Sequence, residues 1–460
     1  MGMAFAGLTC QDFFQSWHCA EGFHSTDEIM SWIAERSENV SVQIEKVPFA
    51  RCQGWEYHFD EGVVRNSNGK FFQISALRCT RGDGRIVEQP IIIQPEIGYL
   101  GILCKRIDGV LHLLMQAKIE PGNVNAVQLS PTIQATKSNF TRQHKGKAPA
   151  YLELFLDADP SVVVVDSLQS EQASRFLGKR NRNIIVYTEG AVDVLPSHKW
   201  MTLGQIARCM RVDNLVNMDT RTVLSCIPYA EMPSGEEIWP RWVLGDRRIE
   251  QSRMVEIVRA MNDAKMFDDL RRECIPIHEL LEWEMGESSI FCKREHPFEV
   301  VYCDIGIEGR EVRHWCQPLF AARGSAMFGL LMRMRGSVAE FYVKLTPEIG
   351  SMDVLELGPT VLREAFSSDE PDEVELLFNR LIADSSNVLL DCLQSEEGGR
   401  FYHEQNRNVI VLLPNGMDAP SLAGYHWCDF TTLSHLCQHR MVNIQLRSLF
   451  SLMGAVVEHD

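Results

Sequence analysis

Asp166, Glu171, Arg175 and Arg182 fall within one short stretch, and Asp391, Glu396, Arg400 and Arg407 repeat the same residue types at the same spacing 225 positions later. An arginine presents a planar fork of donors that suits phosphate oxygens, and neighbouring carboxylates orient it. The pattern reads either as a pocket for an anionic ligand in each copy or as a buried ion-pair network that shapes a domain. Glu120 and Glu348, and Trp55 and Trp283, match in the same way at an offset of 228. The indoles read as core packing or as flat rings for stacking on a nucleobase.

The copies differ where the first gains polar and basic residues. QLSPTIQATKSN at 128–139 faces ELGPTVLREAFS at 356–367, so Ser130, Gln134, Lys137 and Asn139 answer Gly358, Leu362, Ala365 and Ser367. Beyond it the first copy carries Arg142, His144, Lys145 and Lys147, where the second carries Asp369, Glu370, Asp372, Glu373 and Glu375. Lys118 becomes Thr346, and Lys179-Arg180 becomes Glu404-Gln405. A local reversal to positive charge marks the first copy as the place for a phosphate-bearing ligand, unless it is only a solvated charged face. The candidate binding set is Trp55, Glu120, Ser130, Gln134, Lys137, Asn139, Arg142, Arg175, Arg182, Asn183 and Arg221. Trp283, Glu396, Arg400 and Arg407 would line a second pocket.

These residues need a duplicated scaffold, and the matched pairs supply one. They run in register from Val47-Pro48 with Ile275-Pro276 to Arg221 with Arg447. Each copy, of about 200 residues, is of domain size. Residues 1–227 form the first repeat with an N-terminal helical segment, the Pro- and Gly-bearing stretch 228–250 the linker, and 251–460 the second repeat. Ser25 and Glu28 make a capping box before an apolar helical face of Ile29, Trp32 and Ile33. Met254, Ile257, Val258 and Met261 repeat that face, and Thr202 opens a late helix with Leu203, Ile206, Ala207 and Met210. Strands are expected at 72–79, 90–94, 99–107, 110–119, 162–165 and 388–390, with Asp108-Gly109 as a hairpin turn. The fold class is α/β: a mixed sheet between helices, twice over.

Composition narrows the partners. The chain has 460 residues, 45% hydrophobic and 23% charged, with Lys+Arg 45 against Asp+Glu 62 for a net charge of −17. Such an anionic body disfavours nucleic acid and anionic membranes while leaving room for a small phosphorylated ligand. Fourteen cysteines without a CxxC pair read as buried thiols of a reducing cytosol rather than a disulfide frame or zinc site. The start, MGMAFAGLTC, has no basic region or long apolar run, so a cytoplasmic location is expected. There is no GxSxG, P-loop, HExxH or GxGxxG opening a helix. No metal and no redox cofactor are expected.

Several segments carry a family resemblance: QPEIG at 94–98, LMQAKIEPGN at 114–123, QLSPTIQATKSNFT at 128–141, LQSEQASRF at 168–176, KRNRN at 179–183 and VNMDTRTVLS at 216–225, with QSEEGGRFYHEQNRN at 394–408 and 442–447 in the second half. In these the chain resembles the nucleotide-sugar 2,3-dehydratases of deoxysugar biosynthesis. The resemblance implies a homodimer of tandem Nudix-like repeats acting on dTDP-4-keto-6-deoxy-D-glucose. The product would be a 3,4-diketo-2,6-dideoxy sugar, passed on to a ketoreductase. Neither Arg363-Glu364 nor Glu396-Glu397 sits in the frame of a Nudix box, so metal-dependent hydrolysis is not expected. A non-catalytic nucleotide-sugar binding protein and a pyrophosphohydrolase remain the alternatives.

Such a dehydration needs a base at carbon 3, an acid for the leaving hydroxyl and a donor to the enolate oxygen. Lys118, which has no lysine twin, is the expected base, since a lysine in a partly dry pocket beside arginines is usable in that way. Glu171 is its orienter or acid partner, and His144 the other catalytic candidate. Lys137, Arg142, Arg175 and Arg182 are expected to hold the pyrophosphate.

Overall fold

The computed structural model describes residues 7–69, 71–136, 149–229, 251–308, 312–336 and 338–456. Lys137, Asn139, Arg142 and His144 lie outside them, as does nearly all of the expected linker.

Each repeat builds a seven-stranded mixed sheet. In the first, Val163–Ser170, Arg180–Tyr187, Gly98–Ile107, Val110–Lys118 and His198–Met201 lie in that order, with Gln128–Ser130 and Ile133–Ala135 added to the two central neighbours. Arg180–Tyr187 runs parallel to Gly98–Ile107, while the other pairs are antiparallel. Gln405–Leu412 against Met327–Arg335 reproduces the parallel pair in the second repeat. Asp108 and Gly109 form the predicted hairpin turn, with φ of 51° and 82°. Both being left-handed is what a type I′ turn requires.

Period-two alternation sends the two faces of this sheet into different cores. Leu100, Ile102 and Cys104 join a cluster with the helices Cys10–His18 and Leu203–Met210. Tyr99 and Leu103 face the short helix Leu152–Leu156. The same division recurs in the second repeat, where Leu331 faces Phe378 of the helix Glu373–Ile382. The expected capping box is formed at Ser25 with Glu28, and Thr202, expected to open a helix, makes a second one with Gln205.

Two smaller sheets change the expected picture of separate units. Arg271–Ile275, from the second repeat, pairs antiparallel with Gln73–Thr80 of the first. Reciprocally, Val42–Lys46 of the first repeat pairs with Phe298–Ile307 of the second. The repeats have exchanged a strand, and other reciprocal contacts follow. Trp55 Nε1 donates to the Cys316 carbonyl at 2.8 Å, and its twin Trp283 Nε1 to the Glu88 carbonyl at 3.1 Å. Gly122 packs so tightly on the Phe401 backbone that a Cβ would sit 1.5 Å from its carbonyl oxygen, and Gly350 does the same to Phe176 at 2.1 Å.

Arg221 and Arg447, both fully buried, complete this interface. Arg221 donates to Ser448 Oγ at 2.9 Å and to the Ser395 carbonyl at 2.5 Å, and Arg447 to Thr222 Oγ1 at 3.1 Å and to the Ser170 carbonyl. Arg221 is thus a bolt between repeats, not part of a ligand-binding surface. All fourteen cysteines are free, and most are buried. No helix among the described residues is long and apolar enough to cross a membrane.

Candidate functional site

The strand Val110–Lys118 delivers Lys118 to the wall of a cavity of about 1140 Å³. Its Nζ lies 3.1 Å from Glu120 Oε1, with only 13% of the lysine and 6% of the glutamate side chain exposed. Gln134 binds the same carboxylate oxygen, its Nε2 donating to Glu120 Oε1 at 3.1 Å. Gln134 is itself held, its Oε1 accepting from Ser130 Oγ at 2.9 Å and from Asn217 Nδ2 at 3.3 Å. Ser130 therefore acts on the cavity through Gln134. Arginines and Glu171 were the neighbours expected for Lys118, whereas its ion pair is with Glu120.

Asn217 also caps the helix Met218–Leu224, accepting from Thr220 N at 2.9 Å, and so sets Asp219 at the cavity wall. Glu171 lines the cavity too, accepting from Asn181 Nδ2 at 2.6 Å. Burial pushes its carboxyl up, against the pull of Lys179 and Arg447. The second repeat closes the site. Gly122 N donates to the Gly398 carbonyl at 2.7 Å, laying the turn with Glu397, Gly399 and Arg400 against the Glu120 loop. Burial first, and then Glu120, push Glu397 up to about 7.

Arg400 was expected in a second pocket, yet it lines this one. Its guanidinium lies 4.1 Å from the Phe72 ring centroid, with Nε donating to Gln94 Oε1 at 3.2 Å. Trp55, Phe71, Phe72 and Trp315 add aromatic rings to the cavity lining. Trp55 and Phe72 centroids are 4.9 Å apart.

Other expected residues are elsewhere. Arg175 crosses to the second repeat, 3.2 Å from Glu364 and 3.6 Å from Glu404, with its guanidinium 4.4 Å from the Phe298 ring centroid. It mirrors Arg400 and is not among the cavity residues. Arg182 grips Asp166 at 2.5 Å, as Arg407 grips Asp391 at 2.6 Å, both pairs about two-fifths exposed. Neither lines the cavity, so of the four expected pyrophosphate ligands two are elsewhere and two outside the described residues. Asn183 turns its amide to the Asn181 carbonyl at 3.1 Å. Glu396 accepts from Asn406 Nδ2 at 2.8 Å, and Trp283 is 4% exposed against His296 and Phe298.

The sequence motifs missed Asp219, Glu397, Asn181 and Gln94. The signal for Asp219 was present in the register of the copies, where its twin is Gln445. No group of three or more His, Cys, Asp or Glu among the described residues is placed to hold a metal ion.

Fold and site together define a protein of two interlocked α/β repeats with a cavity that combines amide, lysine and buried carboxyl groups with aromatic rings. The model of the family described as NDP-hexose 2,3-dehydratase matches residues 26–227 and again 254–453, and the chain belongs to that family. Three relatives carry the name dTDP-4-dehydro-6-deoxy-alpha-D-glucopyranose 2,3-dehydratase. That of Saccharopolyspora spinosa is 38% identical over 95% of this chain and 92% of its own. That of Streptomyces violaceoruber is 37% identical over 95% and 98%, and that of Amycolatopsis orientalis 36% over 94% and 90%.

Proposed function

We propose that this protein removes water across carbons 2 and 3 of dTDP-4-keto-6-deoxy-D-glucose. The observation that carries the reading is the cavity of about 1140 Å³, whose lining combines Lys118, Glu120 and Glu171 with aromatic rings. That volume suits a nucleotide sugar rather than a free hexose. The aromatic rings take the base, with Arg400 beside Phe72, and the lysine and carboxyl groups take the keto sugar.

The ketone at carbon 4 acidifies the proton on carbon 3. Lys118 takes that proton, or holds the enolate oxygen as it forms, and Glu171 orients the reacting end. The carbon-2 oxygen leaves, and the resulting enol relaxes to the 3,4-diketone. No electrons are exchanged with a cofactor in this sequence. The reactive diketone calls for a ketoreductase to consume it. We read the enzyme as a cytoplasmic homodimer, each repeat Nudix-like, with domains 1–227 and 251–460.

Incubation with the 4-keto substrate in heavy water, followed by mass spectrometry, tests the reading. Loss of water with dTDP intact supports it. Release of dTMP would replace it with pyrophosphate hydrolysis, and binding without change with a carrier role.

A further inference from the structure

The carboxyl of Asp219 has no part in the scheme so far. Asp219 is 1% exposed, lines the cavity, and has an Oδ2 with no hydrogen-bond partner. Its neighbours are already engaged: Glu120 by Lys118 and Gln134, and Glu171 by Asn181. At the matching position of the second repeat Gln445 donates to Glu348 Oε1 at 3.0 Å, which shows what the scaffold needs at that helix start. An unpartnered buried carboxyl oxygen costs stability, and packing does not account for it.

Burial, and then Glu171, Glu397 and Glu120, raise its carboxyl well above the ordinary range, with Lys118 opposing them. The site thus favours the protonated carboxyl of Asp219, which can donate where its acidic neighbours Glu120 and Glu171 accept hydrogen bonds.

We propose that Asp219 is the proton donor to the hydroxyl that leaves carbon 2, a role that rests on the dehydratase reading. The C3–H pair moves into the enolate as Lys118 takes the proton. The C4=O bond then re-forms, the pair between carbons 3 and 4 shifts to carbons 2 and 3, and the C2–O bond breaks. Its oxygen carries the electron pair away, takes the Asp219 proton and departs as water. Ketonisation removes the proton from the carbon-3 oxygen and places one on carbon 2, Lys118 gives its proton to solvent, and Asp219 regains one from solvent.

Asp219→Asn, assayed on the 4-keto substrate and on its 2-deoxy-2-fluoro analogue, tests the role, because fluoride leaves without being protonated. The variant should bind dTDP within about threefold of the wild type and still exchange the carbon-3 proton with heavy water. Dehydration should fall by about 10²-fold or more, the range of a lost general acid, while fluoride release stays within about fivefold. Dehydration within about threefold of the wild type would overturn the role, as would an equal loss of water and fluoride release. If the wild type itself binds but neither exchanges nor dehydrates, the dehydratase reading fails and takes this role with it.

Discussion

The two halves of the molecule hold equivalent sites that have been put to opposite uses. In the first, Lys118, Gln134 and Asp219 face the cavity; in the second the same positions are Thr346, Leu362 and Gln445. Arg400 borders the cavity with its donors on Gln94 and a backbone carbonyl, whereas Arg175 is clamped between Glu364 and Glu404. Glu120 meets a lysine, but Glu348 meets only an amide. One scaffold thus shows which polar groups packing demands and which it does not. Those present only on the first side are the candidates for chemistry.

The sharpest break in that comparison is Lys118→Met. It should keep dTDP binding within about tenfold, about 1.4 kcal/mol, while abolishing exchange of the carbon-3 proton. Retained exchange would remove Lys118 from the base role. The arginine twins should separate next. Arg175→Met leaves the buried Glu404 and the half-buried Glu364 without their cation and should destabilise by about 3–5 kcal/mol, read in a urea titration. Arg400→Met should instead raise KM for the nucleotide sugar, with a smaller shift in the urea midpoint. Equal effects on both readouts would mean that the two sites are not divided as drawn.

Gln134→Leu imports the second repeat's residue and strips a donor from Glu120. A fall in kcat/KM of about 10–100-fold is expected, with Leu362→Gln silent.

pH resolves a smaller difference. Burial holds Glu396 up at about 8 and Glu348 at about 7, against an ordinary 4.5. Each keeps its proton in the folded chain where the unfolded chain has lost it, so its contribution is full below pH 4.5 and disappears as pH rises through 7–8. His198 and His296, lowered to about 4 by burial, contribute the opposite slope, but only below about 6.5. Between pH 6.5 and 8.5 the urea midpoint should therefore fall, and Glu396→Gln should flatten the fall. The smallest effect is expected for Arg182→Ala and Arg407→Ala. Both lose a partly exposed pair, and each should cost no more than about 1 kcal/mol and leave turnover alike.

Local chemistry made much of this legible. Asp108-Gly109, the Ser25–Glu28 box and Thr202 were readable because turns and caps are decided by a few adjacent residues. Lys118 stood out because its twin is not a lysine. The exchanged strands did not stand out: both are short, largely exposed edge strands, Arg271–Ile275 has no apolar alternation, and the alternation of Val42–Lys46 does not say which half it pairs with. That omission misplaced Arg400 and Arg175. A matched register shows that two residues occupy equivalent positions, but it does not show into which half each one reaches. The buried Arg221 looked like a ligand-binding fork for a related reason, since a carbonyl and a phosphate both ask an arginine for the same donors.

The exchanged strands also bear on how such a site can change. Two identical, separate chains interlocked in this way would carry every substitution twice, once at each site, so a lysine gained for chemistry would also intrude on its copy. With the halves on one polypeptide, each position is free of its counterpart. One side then accumulates reactive groups while the other preserves the frame, lending Glu397 and Arg400 across the seam. Cutting the chain at the linker would not release two working proteins, because each half would surrender a strand and part of the cavity to the other.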